Sequence, residues 1–191
     1  GIQVSNTATA VVTVNPDNIL VVDTTSDAAD GVATNIQSLL TDRGVDGHIS
    51  LREAILATNG STNGAGPDEI HFNILGAGPH TIQPLTALPD ILEAVILDGS
   101  TEPDFASIPV VELDGSLAGG ANGVRISGGG TTVRGLAINR FDDDGIDLNT
   151  GTGNTIEGNY IGIGVDGLTA QPNLGSGIVI RAGSGNNTVG G

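Results

Sequence analysis

The feature that most constrains this chain is a register that recurs along its second half. The segments "NGVRI" (122–126), "DGIDL" (144–148) and "SGIVI" (176–180) align, with Gly123, Gly145 and Gly177 spaced by 22 and 32 residues. The segments "TTVRGLAI" (131–138), "NTIEGNYI" (154–161) and "NTVGG" (187–191) align in the same way, with Thr132, Thr155 and Thr188 spaced by 23 and 33. The excess in the second interval is an insertion, and "GIGVDGLTAQPN" is its candidate. Short apolar strands recurring about every 22 residues, with Gly, Asn and Asp at the corners, are the signature of a parallel β-solenoid. An antiparallel sandwich would instead need a hairpin turn every ~8–12 residues and would show no such register. Stacked turns also place Asn154 and Asn187 at equivalent corners, where amide ladders can form. Upstream, "ILDGS" (96–100) and "ELDGS" (112–116) carry a related motif at a spacing of 16.

Composition narrows what such a fold could do. Aromatic residues are only 2% of the chain, so the core must be built from Ile, Leu, Val and Ala in thin regular layers. The net charge is −16, and the six basic residues (Arg43, Arg52, Arg125, Arg134, Arg140 and Arg181) include no Lys. A surface this acidic repels phosphate backbones and anionic lipid, which excludes nucleic-acid and membrane-surface binding and leaves divalent cations as charged partners. No run of apolar residues approaches the ~18 needed to span a membrane. There is no Cys, so no disulfide contributes. A first residue of Gly is expected of a trimmed product, as a mature secreted protein would be.

Three regions follow from the pattern. Residues 1–18 form an extended strand in which Ile2, Val4, Ala8, Ala10, Val12 and Val14 alternate with polar residues, interrupted at Asn6 and stopped by Pro16. Residues 19–69 hold a second strand, "NILVVDT", and two helix candidates. Thr34 and Gln37 make a weak capping box before Leu39 and Leu40. Ser50 and Glu53 make a strong one before Leu51, Ala54 and Ile55, in which hydroxyl and carboxylate satisfy otherwise orphaned helical N–H groups. Residues 70–191 are the repeats. The helix at 50–58 is expected to cap the first coil, with Leu51, Ala54 and Ile55 turned inward and Arg52 exposed.

Taken in order, "DGHISLREAI", "DEIHFNI", "HTIQPLTALPDI", "LDGS", "TTVRGLAINRF" and "NTIEGNYIG" resemble bacterial secreted proteins of the CSLREA-domain type, over roughly residues 20–191. That resemblance implies an all-β, right-handed parallel β-helix with the motif helix at its start, and a cell-surface or extracellular location. The family's usual Cys is Ile49 here, so any redox or cross-linking role of that residue is lost, while packing under the helix continues.

The strongest candidate for chemistry is "NRFDDDGIDLN", where Asp142, Asp143, Asp144 and Asp147 lie within six residues. Neighbouring carboxylates can split their pKa values and serve as acid and base in glycoside hydrolysis. "DDGID" also resembles the Asp-rich motif of polygalacturonases, which share the β-helix fold. The downstream Gly-His-Gly and Arg-x-Lys motifs of that family are absent, and no aromatic platform for sugar is evident. Asp142, Asp144 and Asp147 could instead supply oxygens to Ca²⁺, although they match neither an EF-hand nor a β-roll nonapeptide. In the repeat alignment Asp147 is equivalent to Arg125 and Val179 and points outward, so a solvated corner of the coil is the preferred reading. No cofactor is required. His48, His71 and His80 are too scattered for a metal motif and are assigned local roles.

The ends of the chain carry the functional expectation. Exposed sheet edges invite pairing unless they are capped, and the chain stops at "NNTVGG", midway through a repeat. The amphipathic strand at 1–14 has no evident partner; it resembles the last strand of an immunoglobulin-like domain, and it suits β-augmentation onto a neighbouring subunit. The expectation is a non-catalytic extracellular structural or adhesive β-solenoid that joins head to tail through this strand. The alternatives are a carbohydrate-active enzyme using Asp142–Asp147, or a Ca²⁺-stabilised spacer. Its partners would be further copies of itself or flanking domains of a larger protein, with a cell-surface polysaccharide as a second candidate ligand.

Overall fold

The structure, a computed structural model, describes residues 18–190. The alternating strand at Ile2–Val14 lies outside the described residues. The elements in chain order are β1 (Ile19–Val22), α1 (Ile36–Thr41), α2 (Leu51–Asn59), β2 (Asp68–Phe72), β3 (His80–Ile82), β4 (Val95–Asp98), β5 (Val111–Asp114) and β6 (Val124–Ile126). They continue as β7 (Thr132–Arg134), β8 (Leu136–Asn139), β9 (Ile146–Leu148), β10 (Thr155–Glu157), β11 (Tyr160–Ile161), β12 (Ile178–Ile180) and β13 (Thr188–Val189).

These strands form three sheets, ordered β1-β2-β4-β7-β10-β13, β11-β8-β5-β3 and β12-β9-β6, and the strand pairs within them are parallel. From β4 onward the chain visits the sheets in a fixed rotation: six-stranded, four-stranded, three-stranded, then six-stranded again. The register is the one read from the repeats. Thr132, Thr155 and Thr188 are paired across β7, β10 and β13, and Arg125, Asp147 and Val179 across β6, β9 and β12.

Rows of aliphatic side chains run through the interior. In the six-stranded sheet the row is Leu20, Ile70, Leu97, Val133 and Ile156, each no more than 2% exposed. Ile82, Leu113 and Ile138 form the row of the four-stranded sheet. Each such side chain contributes about 1.5–3 kcal/mol by leaving water, so the stacked rows supply the main driving force of the fold. Phe72 and Phe141, two of the three Phe, are spent in this core.

The insertion at 162–173 is a small excursion closed by an antiparallel bridge between Ile163 and Ala170, and the next circuit resumes in register. The corners follow the Asn positions, with one change of chemistry. Asn154 Oδ1 accepts from Thr131 N at 2.9 Å, and Asn187 Oδ1 accepts from Asn154 N at 2.9 Å. The ladder therefore runs from side chain to backbone between rungs, not from amide to amide.

One local expectation needs correction, and two placements add to the reading. The N-cap of α1 is Asn35, whose Oδ1 accepts from Ser38 N at 2.8 Å, and not Thr34. The carbonyl of Thr34 instead lies against Gly60, at the end of α2. The two "LDGS" segments are not copies of one position, because β4 and β5 belong to different sheets. Their shared motif makes the same corner on successive faces, where Asp98 and Asp114 accept from Ser100 N and Ser116 N at 2.9 Å and start a short 3₁₀ turn. Finally, β1 is the first strand of the six-stranded sheet and pairs directly with β2, and both helices belong to the connection between them in chain order.

Asp68, at the start of β2, is the least comfortable buried group. It is fully buried, and neither carboxylate oxygen has a hydrogen-bond partner among the described residues. Burial pushes its pKa up; the neighbouring Asn18 side chain offsets this in part, and the Glu93 charge adds to it. A raised folded-state pKa means stability that is present below the unfolded value and is lost as pH rises through the folded value. Asp68→Asn is therefore expected to raise the melting temperature at pH 7. The gain should shrink towards zero as the pH approaches 4, as followed by thermal denaturation across that range.

Candidate functional site

The Asp142–Asp147 cluster is split by the fold. Asp142 and Asp143 are exposed at the corner before β9, whereas Asp144 and Asp147 are 6% and 1% exposed. The solvated-corner reading thus holds only for the first two. Asp147 does project from the outer face of its sheet, but two arginines from neighbouring rungs cover it. Arg125 Nε donates to its Oδ2 at 3.2 Å, and Arg181 Nε donates to its Oδ1 at 2.8 Å.

The network extends in both directions. Arg125 also reaches Asp90 at 3.2 Å, and Arg181 reaches Asp144 Oδ2 at 3.2 Å. The other oxygen of Asp144 accepts from Ser176 N at 2.7 Å. Hydrogen bonding to Asp147 and the surrounding Asp charges raise the pKa of Arg181. The result is an alternating chain, Asp90–Arg125–Asp147–Arg181–Asp144, running across the rungs of the three-stranded sheet. Its chemistry is that of a clamp: the lone pairs of the buried carboxylates point at guanidinium groups and backbone N–H, not into open space. Among the described residues no group of three or more His, Asp or Glu side chains is placed to hold a metal ion.

The other two sheets carry similar pairs. Arg134 Nη2 donates to Asp98 at 2.6 Å, and Arg140 Nη1 donates to Asp114 at 2.5 Å. Burial opposes ionisation of Asp98, yet hydrogen bonds from Arg134 and Ser100 outweigh it and hold the carboxyl below its usual range. Asp114 is held low in the same way, against burial, by Ser116 and Arg140. Glu112 accepts from Thr81 at 2.8 Å and from Asn139 at 2.9 Å, which ties β3, β5 and β8 together. A groove of about 450 Å³ beside Arg134 is lined by Ser100, Phe105, Gly135, Glu157 and Gly158. The histidines are local: His48 lies 3.3 Å from Asp23, His71 2.7 Å from Glu69, and His80 is buried 3.6 Å from Glu102.

The helix cap residues are placed as expected, with one exception. Ser50 Oγ accepts from Glu53 N at 3.2 Å, the Glu53 carboxylate accepts from Ser50 N at 3.0 Å, and Leu51, Ala54 and Ile55 are no more than 1% exposed. Ile49 is buried beside them. Arg52 is not the exposed partner expected of it. Its side chain is 14% exposed, pairs with Asp27 at 2.8 Å, and donates to the carbonyls of Thr86 and Ala87. Glu53 also reaches beyond its own helix, accepting from Gly31 N at 2.7 Å.

The third candidate is the end face formed by β11, β12 and β13, each the last strand of its sheet. Val189 continues the row of Val133 and Ile156 but is 49% exposed, and Ile180 continues the row of Ile126 and Leu148 but is 51% exposed. Leu174 beside them is 74% exposed.

No family model matches this chain, and no curated protein or solved structure matches it. No helix among the described residues is long and apolar enough to cross a membrane.

Proposed function

We propose that this chain is a non-catalytic structural or adhesive protein of the bacterial cell surface or extracellular space. On this reading the three rotating parallel sheets are the faces of a right-handed parallel β-helix, and the helix at 51–59 is the cap element of the CSLREA type. The molecule joins head to tail with further copies through its N-terminal strand. The observation that carries the reading is the parallel register shared by the three sheets, whose last described strands β11, β12 and β13 present an apolar edge. An apolar edge of this kind favours addition of another strand, and a contact between opposite ends of two identical molecules generates an open fibre. The charged clusters support a scaffold role, because their buried carboxylates are engaged in cross-rung pairs.

Sedimentation velocity and negative-stain imaging test this. The 191-residue chain is expected to form elongated particles that grow with concentration, and the same chain lacking residues 1–14 is expected to stay monomeric. Monomers of the full chain at high concentration would contradict the filament reading.

A further inference from the structure

We propose that Asn63 is a site of spontaneous covalent modification. In the folded protein the backbone nitrogen of Gly64 attacks its side-chain amide, ammonia leaves, and water completes the conversion to an acid. The site is independent of whether copies of the chain join.

Asn-Gly occurs three times in the chain, at Asn59-Gly60, Asn63-Gly64 and Asn122-Gly123. Gly favours this reaction because it has no Cβ to hinder ring closure and its backbone is free to adopt the geometry that closure needs. The glycine nitrogen must also be free to attack, so the hydrogen bonds of the fold decide among the three pairs. Gly60 N donates to Leu56 O at 3.1 Å and closes the end of α2. Gly123 N donates to Asp144 O at 2.9 Å, on the next rung. Gly64 is exposed, and its N–H has no acceptor among the described residues.

The amides differ in the same direction. Asn59 Nδ2 donates to Asp90 O at 2.7 Å, its Oδ1 accepts from Leu92 N at 2.8 Å, and its backbone belongs to α2. Asn122 Oδ1 accepts from Asp144 N at 3.0 Å, so Asn122 and Gly123 are both tied to the same neighbouring residue. Asn63 is held by two longer contacts, Nδ2 to Ala94 O at 3.1 Å and Asp68 N to Oδ1 at 3.2 Å. The segment 60–67 that carries it joins α2 to β2 and contains neither helix nor strand. Turning the Asn63 side chain towards Gly64 therefore breaks two long hydrogen bonds and no element of secondary structure.

The chemistry needs no reagent except water. Gly64 N gives up its proton and bonds to Cγ of Asn63, the Cγ–Nδ2 bond breaks, and ammonia leaves with that proton. Water then opens the cyclic imide at either carbonyl, adding hydroxyl to the carbon and returning a proton to the ring nitrogen. The product is Asp or isoAsp at position 63. It sets a negative charge against Ala94 O, where the fold uses an N–H donor, and beside the acidic residues Glu93 and Asp68. The tie between this segment and the residue preceding β4 is lost.

Incubation of the full chain at mildly alkaline pH, followed by peptide mass spectrometry, tests the proposal. Asn63 is expected to convert to a mixture of Asp and isoAsp while Asn59 and Asn122 keep their amides. In the urea-denatured chain all three should convert at similar rates. Gly64→Ala should slow the reaction several-fold and keep the fold, because Gly64 has no positive φ and an added Cβ meets only the Asn18 side chain, at 3.4 Å. Asn63→Asp fixes one of the two products and should melt below the parent at pH 7. That difference should shrink at acid pH, where the protonated carboxyl regains a donor for Ala94 O. Retention of the Asn63 amide in the folded chain for as long as those of Asn59 and Asn122, or equal conversion of all three, would overturn the proposal. None of these readouts depends on oligomeric state, so the filament reading stands or falls on its own test.

Discussion

Replacing Gly123 by alanine is expected to destabilise the protein by about 3 kcal/mol, the upper end for overpacking a core. An added Cβ would lie 2.4 Å from the carbonyl oxygen of Gly145 on the next rung and 2.6 Å from Cγ2 of Ile138. The first of these is backbone and cannot swing aside. Gly145 meets the same restriction against Gly177, with its Cβ 2.7 Å from that carbonyl oxygen. The glycines thus form a column along which successive rungs approach too closely for any side chain. Neither Gly123 nor Gly145 has a positive φ, so the requirement is one of space and not of backbone conformation. Urea denaturation measures the effect. Gly119→Ala is a poor control because its φ is +67°, whereas Gly120→Ala, with open space around its Cβ, should change little.

Glu53→Ala is expected to cost about 3 kcal/mol, well beyond the ~1 kcal/mol of an ordinary cap. Glu53 is 1% exposed, and its carboxylate accepts from Ser50 N and Gly31 N. Truncation strands these donors in a site with little water, and each stranded donor costs about 1–3 kcal/mol. It also removes a negative charge from the positive end of α2. Glu53→Gln keeps one acceptor oxygen and should recover part of the loss. The comparison of the two midpoints in urea separates lost hydrogen bonding from lost charge.

Much of the architecture was legible because register is a sequence property. Thr132, Thr155 and Thr188 pair where the repeats align, and the excess residues between β11 and β12 fall in the insertion. The Ser50–Glu53 box was legible because both halves of a cap lie three residues apart. The reach of its members was not. Arg52 finds Asp27, and Glu53 finds Gly31, across 25 and 22 residues, and no periodicity marks such contacts. Asp147 shows the same limit. Its outward direction follows from its place opposite Arg125, but its burial depends on Arg181, a residue just after β12 that folds back over it. The available signal was the opposite charge of Arg125 and Asp147 at equivalent positions of adjacent strands. Asp90 gave no signal, since it precedes Ile91, whose single bridge to Ile126 marks it as part of the three-stranded sheet. The two "LDGS" segments share one corner chemistry although β4 and β5 belong to different sheets, which is why their spacing of 16 departs from the register of the repeats.

The central proposal is that this chain is a structural protein whose copies join into filaments with their parallel strands in one stack. Electron cryo-microscopy of filaments assembled from the full 191-residue chain tests it most directly. The account predicts parallel strands about 4.8 Å apart that continue from one molecule into the next. Discrete monomers, or filaments in which the strand stacking breaks at each junction, would contradict it.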